Sequence, residues 1–75
     1  MNIVITKQHW LRNKIMDLRD ERVRLQREVS ALEDIQFWTP WSFTTEQAQH
    51  LARLQTTIQK IKTKEQTLHQ EVYYA

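Results

Sequence analysis

The histidines of this 75-residue chain do not have the spacing of a metal site. His9, His50 and His69 form no HxxxH or HExxH pair. Glu65 and His69 are four positions apart and share a helix face, but two ligands do not complete a closed zinc site. Di-iron helical bundles use Glu-x-x-His, a different spacing. We therefore expect solvated histidines, with neither a metal nor a cofactor.

The acidic residues do not form a catalytic pair. Asp20 and Glu21 are adjacent, as are Glu33 and Asp34. Successive residues of a helix point about 100° apart, so neither pair converges on one substrate atom. The chain also has no Gly for phosphate-binding or dinucleotide-binding loops, and no Cys for thiolate chemistry. These features predict a protein that is not an enzyme and has no catalytic residues.

Four basic residues of the C-terminal half are the candidate contacts for a polyanion. They are Arg53, Lys60 and Lys64, which share one helical stripe, with Lys62 nearby. The whole chain carries eleven Lys and Arg against nine Asp and Glu, a net charge of +2. So small an excess favours a solvated face and leaves a nucleic-acid-facing stripe as the alternative.

The largest apolar side chains are concentrated in one short break, FWTPWSF, at residues 37–43. Pro40 cannot continue a helix. Phe37 and Phe43 fit two interpretations, as plugs for the end of a helical core or as exposed surface. Trp38 and Trp41 are harder to bury, because a two-helix tip offers few neighbours. Since Trp is enriched in interface hot spots, these four aromatic residues are the predicted binding site for a protein partner.

Two helices must position these residues. Apolar residues recur at heptad spacing in two stretches, interrupted by Arg22 in the first and Glu65 in the second. The two stripes are Leu11, Ile15, Leu18, Leu25, Val29 and Leu32, and Leu51, Leu54, Ile58, Ile61, Leu68 and Val72. If the chain doubles back near Pro40, facing positions sum to roughly 83, and the two charges fall in adjacent layers. A salt bridge between them would fix the register.

The fold predicted from these stripes is all-α, an antiparallel two-helix coiled-coil hairpin with a short extended N-terminal segment. Thr6 is the expected N-cap of the first helix, and Thr44 with Gln47 is the expected capping box of the second. The expected segments of a single domain, 1–75, are an extended arm at 1–6, helix 1 at 7–36, an aromatic tip at 37–43 and helix 2 at 44–73.

A hairpin of this size has a small core, which predicts self-association. Trp10, Met16, Val23 and Ile35 lie beside the stripe of helix 1 and form the predicted oligomer face. We expect a homodimer with the form of a four-helix bundle. No apolar run approaches the ~20 residues of a membrane span. The N-terminus lacks the apolar region of a secretory signal, so a cytoplasmic location is expected.

The chain resembles, over residues 6–72, the N-terminal coiled-coil hairpin of the bacterial Gre transcript-cleavage factors. The resemblance rests on the hairpin length, the Thr-capped first helix, and a second helix that opens with TEQA at 45–48, similar to the Ser-Glu-Asn-Ala-like run of that family. It implies a hairpin that enters the secondary channel of RNA polymerase, where the family's acidic tip helps to hold a catalytic Mg²⁺.

The sequence departs from the Gre pattern at the tip. The Gly-Asp that precedes the family's run is replaced by WSFT at residues 41–44, and Glu46 is the one tip acid that matches. The second, globular domain of those factors is not found in this sequence. The resemblance therefore implies a hairpin that occupies the channel as an inhibitor or competitor, without metal-assisted cleavage.

Two functional classes follow. The first is a non-enzymatic interaction module, a small inhibitor or adaptor, encoded by a phage or acting as an accessory protein, that binds a larger macromolecular machine through the aromatic tip and the helical faces. The second is a nucleic-acid-associated helical dimer that uses the basic stripe of helix 2.

Overall fold

A computed structural model describes residues 3–74 of the chain and the side chains of residues 7–73. Helix α1 spans Ile3–Trp38, a 3₁₀ turn spans Pro40–Ser42, and helix α2 spans Thr45–Tyr74. The two helices, of 36 and 30 residues, pack against each other as a hairpin. The prediction of an all-α fold is confirmed. The molecule is a rod with extents of 60 × 15 × 14 Å.

The two predicted apolar stripes form the contact between the helices. The buried residues are Leu11, Ile15, Leu18, Val29, Leu51, Leu54, Ile58 and Ile61. The other four stripe residues, Leu25, Leu32, Leu68 and Val72, are half-buried. Leu11 is the one side chain among the described residues that solvent hardly reaches, with 1% exposed. The rod is therefore held by a single apolar seam with water close on both sides.

The register of the seam can be followed toward the tip. Val29, Leu51, Leu54 and Ile58 form one core cluster, and Leu25, Leu32 and Phe43 pack against it. The cluster and the residues packed against it include both members of three layers that the sequence predicted, Leu32 with Leu51, Val29 with Leu54, and Leu25 with Ile58.

The predicted salt bridge across the seam is present. Arg22 Nε donates to Glu65 Oε1 at 2.7 Å, and Arg22 Nη1 donates to Gln26 Oε1 at 3.3 Å. The two charged side chains are 23% and 12% exposed. The hydrogen bond to Glu65 is the main cause that raises the pKa of the Arg22 guanidinium. A raised pKa favours the cation, so the stability that comes from the charge of Arg22 is fully present below the ordinary pKa of arginine and is lost as the pH rises through the raised pKa.

The expected extended arm at 1–6 is wrong for the residues that the structure describes, because α1 already begins at Ile3. Residues 1 and 2 lie outside the described range. Thr6 lies inside the helix and is not its N-cap. Residues 3–6 are all β-branched, which lowers helix propensity by only a few tenths of a kcal/mol per residue, and extension of an existing helix does not carry the cost of nucleation.

The chain turns without any residue in the left-handed region, which explains how a Gly-free sequence can form a hairpin. Within the described residues no φ is positive and no peptide bond is cis. Thr39, before the proline, leaves the helix with φ −135° and ψ 61°, and Pro40 opens the 3₁₀ turn. Phe43 then adopts an extended conformation that leads into α2. Residues 37 and 38, which were expected in the tip, instead form the last turn of α1.

The predicted capping box of α2 is confirmed. The amide of Gln47 donates to Thr44 Oγ1 at 3.1 Å, and the amide of Thr44 donates to Gln47 Oε1 at 2.9 Å. Two amides that would otherwise lack helical partners are thereby satisfied. Thr44 is the cap, so the helix itself runs Thr45–Tyr74 and not over the expected 44–73.

Candidate functional site

Three aromatic side chains stand exposed at one end of the rod. Phe37, Trp38 and Trp41 are 74%, 71% and 82% exposed. The rings of Phe37 and Trp38 meet edge to face, with centroids 4.9 Å apart and an interplanar angle of 84°. We call these three residues the tip patch. Exposed aromatic groups in such number are unusual for a small monomer and are typical of an interface.

The two phenylalanines of the break separate into the two predicted roles. Phe43 is half-buried and packs against the core cluster, so it closes the seam at the tip. Phe37 faces solvent and belongs to the tip patch. Both tryptophans remain outside the core, as the small number of neighbours at a two-helix tip predicts.

Hydrogen bonds fix the backbone beneath the tip patch. The amide and the hydroxyl of Thr39 both donate to the carbonyl of Ile35, at 2.9 and 3.1 Å. The amide and the hydroxyl of Ser42 both donate to the carbonyl of Thr39 at 2.9 Å, and the amide of Phe43 donates to the carbonyl of Pro40 at 3.2 Å. A backbone satisfied in this way presents Trp38 and Trp41 in a defined arrangement, which lowers the entropy cost of binding.

The four candidate polyanion contacts are all exposed but do not form one surface. Arg53, Lys60 and Lys64 fall within about 40° of one another around the helix, whereas Lys62 lies about 160–180° away from them. Lys60 and Lys64 border a shallow groove on the outer side of α2 together with Thr56. Lys62 borders a different groove. Arg53, Lys60 and Lys64 therefore share one flank of α2, which we call the basic flank, and Lys62 lies on the other side.

The grooves beside Lys62 and beside Lys60 and Lys64 also differ in their acidic residues. Glu33 of α1 lines the same groove as Lys62, whereas no acidic residue lines the groove beside Lys60 and Lys64. Between residues 47 and 64, α2 carries four basic and no acidic residues. Within the described part of the chain, none of these four side chains forms a salt bridge.

The predicted oligomer face also divides in two. Trp10 and Ile35 lie about 20° apart around α1, and so do Met16 and Val23, but the two pairs are separated by about 120°. Trp10 and Met16 are 59% and 60% exposed, while Val23 and Ile35 are half-buried. A single flat interface on α1 therefore cannot contain all four residues.

Trp10 lines an apolar cleft between the helices at the end opposite the tip patch. Leu18 and Leu68 contribute to the cleft from the seam, and Lys14 and Lys64 contribute a basic group from each helix. We call this site the basal cleft. The spacing of residues along the sequence did not predict this cleft, although Trp10 and Lys14, four residues apart on one helix, share a face.

No metal or acid–base centre is formed by the described residues. His9, His50 and His69 are exposed, and no group of three or more potential ligands comes together within residues 3–74. Asp20 with Glu21, and Glu33 with Asp34, are likewise on the surface. Three surfaces of the described residues could contact a ligand or partner: the tip patch, the basal cleft and the basic flank of α2.

Comparison with known proteins gives no relatives from which a role could be transferred. No family model, curated protein or solved structure matches this chain significantly. Neither described helix has an apolar stretch long enough to cross a bilayer.

Proposed function

We propose that this protein is a non-enzymatic protein–protein interaction module that binds a larger macromolecular partner through its tip patch. The observation that carries the proposal is the exposure of Phe37, Trp38 and Trp41 at the end of a rod 60 Å long and about 15 Å wide. A narrow rod reaches into a recess that a globular domain cannot enter, and its aromatic end supplies the apolar anchors.

The role that fits this shape is that of a small inhibitor or adaptor. The protein contributes binding energy and bulk at a defined position, and the partner contributes any chemistry. A Gre-like hairpin that occupies the secondary channel of RNA polymerase is one form of this role. Exposed Glu46 in the first turn of α2 is consistent with it, but the aromatic tip favours an apolar receiving pocket over a metal site. The coiled-coil character, the dimer and the cytoplasmic location belong to the same proposal.

The tip patch is tested by the double variant Trp38→Ala/Trp41→Ala. Both side chains are mostly exposed, so the variant should keep the helical circular dichroism of the wild type. Loss of two aromatic anchors should weaken partner binding by roughly 100-fold or more. The measurement is affinity capture from the cells that make the protein, followed by titration of the captured partner.

The matched control is Trp10→Ala, which removes an exposed indole from the opposite end of the rod. This variant should retain the partner. Equal binding by the wild type and the Trp38→Ala/Trp41→Ala variant would remove the tip patch as the binding site.

A second candidate function is favoured by the basic flank of α2. Arg53, Lys60 and Lys64 share a stripe, and no acidic residue lines the groove beside Lys60 and Lys64, which suits contacts to the phosphates of a nucleic acid. The small net charge of the chain makes this the weaker of the two proposals.

A further inference from the structure

The exposed aromatic residues of the tip lie among carboxylates. Residues 28–52 carry four acidic and no basic residues, a net charge of −4 with histidine neutral. On α1, Glu33 lies four residues before Phe37. Asp34 lies four residues before Trp38, and all four side chains are exposed. Because residues four apart on a helix share a face, each of these rings has a carboxylate one helical turn away.

The protein does not pair these carboxylates with a cation. Of the salt bridges among the described residues, none includes Glu33 or Asp34. Lys62 lines the same groove as Glu33 without forming a salt bridge to it. The nearest basic residue along α1 is Arg27, which lies about 9 Å from Glu33 and about 15 Å from Phe37 in helical rise. Both separations exceed the Debye length of about 8 Å at physiological ionic strength, so the negative charge of the tip is not cancelled.

The two carboxylates also lie close to the end of α1 where negative charge is unfavourable. The helix ends at Trp38 and has no basic residue in its last turn. The C-terminal end of a helix carries a partial negative charge, which disfavours nearby acidic side chains and favours cations. A cation supplied by another molecule would therefore be attracted both by the carboxylates and by the end of the helix.

The indole rings of the tip patch add a further attraction for cations. The face of an aromatic ring attracts ammonium and guanidinium groups, and Trp does so most strongly. Trp38 and Trp41 are 71% and 82% exposed, so both rings are accessible to an incoming side chain. A guanidinium group is planar and weakly hydrated, stacks on aromatic faces and pairs with carboxylates, so Arg fits this surface better than Lys does.

We propose that the tip patch binds a basic, arginine-rich protein segment. Arginine side chains of the partner stack on the rings of Trp38 and Trp41, and their guanidinium groups pair with the carboxylates at the same end of α1. The inference rests on the proposed function and names the partner chemistry of the same site. A nucleic acid or an anionic lipid surface would be repelled by these carboxylates, so the complementary occupant is a cationic protein surface.

The probe for this proposal is a fluorescently labelled arginine homopeptide, titrated with the protein at physiological ionic strength and followed by anisotropy. The chain offers two matched variants, Glu33→Gln/Asp34→Asn and Asp20→Asn/Glu21→Gln. Each neutralises two adjacent, exposed carboxylates of α1 and changes the net charge by the same amount. The variant near the tip should raise the dissociation constant of the peptide at least ~10-fold, and the variant at the middle of α1 less than ~2-fold.

A third variant, Trp38→Ala/Trp41→Ala, tests the aromatic part of the site. It keeps every charge and should raise the dissociation constant of the peptide about 10-fold, because both cation–π contacts are lost. Thermal melts provide the folding control. Removal of negative charge near the C-terminal end of a helix should leave the melting temperature of Glu33→Gln/Asp34→Asn equal to that of the wild type or higher.

The proposal is overturned if the two carboxylate variants weaken peptide binding equally, or if Trp38→Ala/Trp41→Ala binds the peptide as the wild type does. It is also overturned if the tryptophan variant loses affinity for a short DNA duplex and not for the peptide. The proposed function is judged separately with the captured partner. A partner that Trp38→Ala/Trp41→Ala loses and Glu33→Gln/Asp34→Asn keeps at full affinity would leave the tip patch as the binding site and reject a basic partner.

Discussion

At the scale of single residues, the Arg22–Glu65 pair is the one charged contact in the seam of the described chain. Both partners lose part of their hydration, and the ion pair with its hydrogen bond roughly offsets that loss. A pair of this kind contributes little net stability compared with apolar residues of similar size. Its effect is on register, because a slip of one heptad would leave both charges against leucine or isoleucine.

We expect the double variant Arg22→Leu/Glu65→Leu to melt at a higher temperature than the wild type, by about 5 °C, since it completes both apolar stripes. Arg22→Leu alone should lower the melting temperature, because it leaves the Glu65 carboxylate, 12% exposed, without its partner. Thermal melts followed by circular dichroism measure both. A double variant less stable than the wild type would show that the pair does stabilise the fold.

At the scale of elements, the start of α2 determines where the hairpin closes. The Thr44–Gln47 capping box sets the first residue of the helix, and Phe43 immediately before it packs against the core cluster. Closure of the turn and capping of α2 are therefore linked within five residues. The position of the tip patch depends on the same contacts, because the 3₁₀ turn lies between Phe43 and the end of α1.

Thr44→Ala should destabilise the hairpin by about 1 kcal/mol, because the amide of Gln47 loses its acceptor. In a chain of this length that loss corresponds to a melting temperature about 4–8 °C lower. Thr45→Ala is the matched control, since Thr45 is exposed and its hydroxyl has no hydrogen-bond partner among residues 3–74. Equal effects of the two variants in urea or thermal unfolding would argue against the capping box as the cause.

At the scale of the whole molecule, the distribution of charge matters more than its total. A rod with a net charge of only +2 still presents a basic flank on α2 and, over residues 28–52, a tip region with four acidic and no basic residues. Screening by salt acts on these separated regions individually, because the rod is about 60 Å long and the Debye length at physiological ionic strength is about 8 Å.

If the basic flank binds nucleic acid, affinity for a short DNA duplex should fall with salt with a log–log slope of about −3, one unit for each of Arg53, Lys60 and Lys64. Lys60→Gln/Lys64→Gln should reduce the slope by about two units. Lys62→Gln, on the other flank, should leave it nearly unchanged. Fluorescence anisotropy at several salt concentrations measures these slopes. An affinity for DNA that does not change with salt concentration would reject this candidate function. A Lys62→Gln variant that reduces the slope as much as Lys60→Gln/Lys64→Gln would also reject it.

The sequence predicted most of the seam because heptad periodicity reports which side chains face a partner helix. Leu11, Val29 and Ile58 are buried where the pattern placed them, and Arg22 meets Glu65 across the layers that antiparallel pairing predicts. The capping box could also be predicted from the sequence, because it depends on residues only three positions apart. The two ends of α1 could not be predicted in this way. Helix propagation over the β-branched N-terminal residues, and up to the residue before Thr39, depends on the whole length of the helix.

The amino-acid sequence by itself determined that the chain is a helical hairpin with a charged pair in its seam and aromatic residues at its turn, since these follow from local patterns of spacing. Only the tertiary structure decided which of those residues share a surface. It separated Phe43, which packs against the core cluster, from exposed Phe37, and it brought Trp10, Lys14 and Lys64 to one cleft. The physical reason is that exposure and neighbourhood depend on the packing of both helices, which no window along one helix contains.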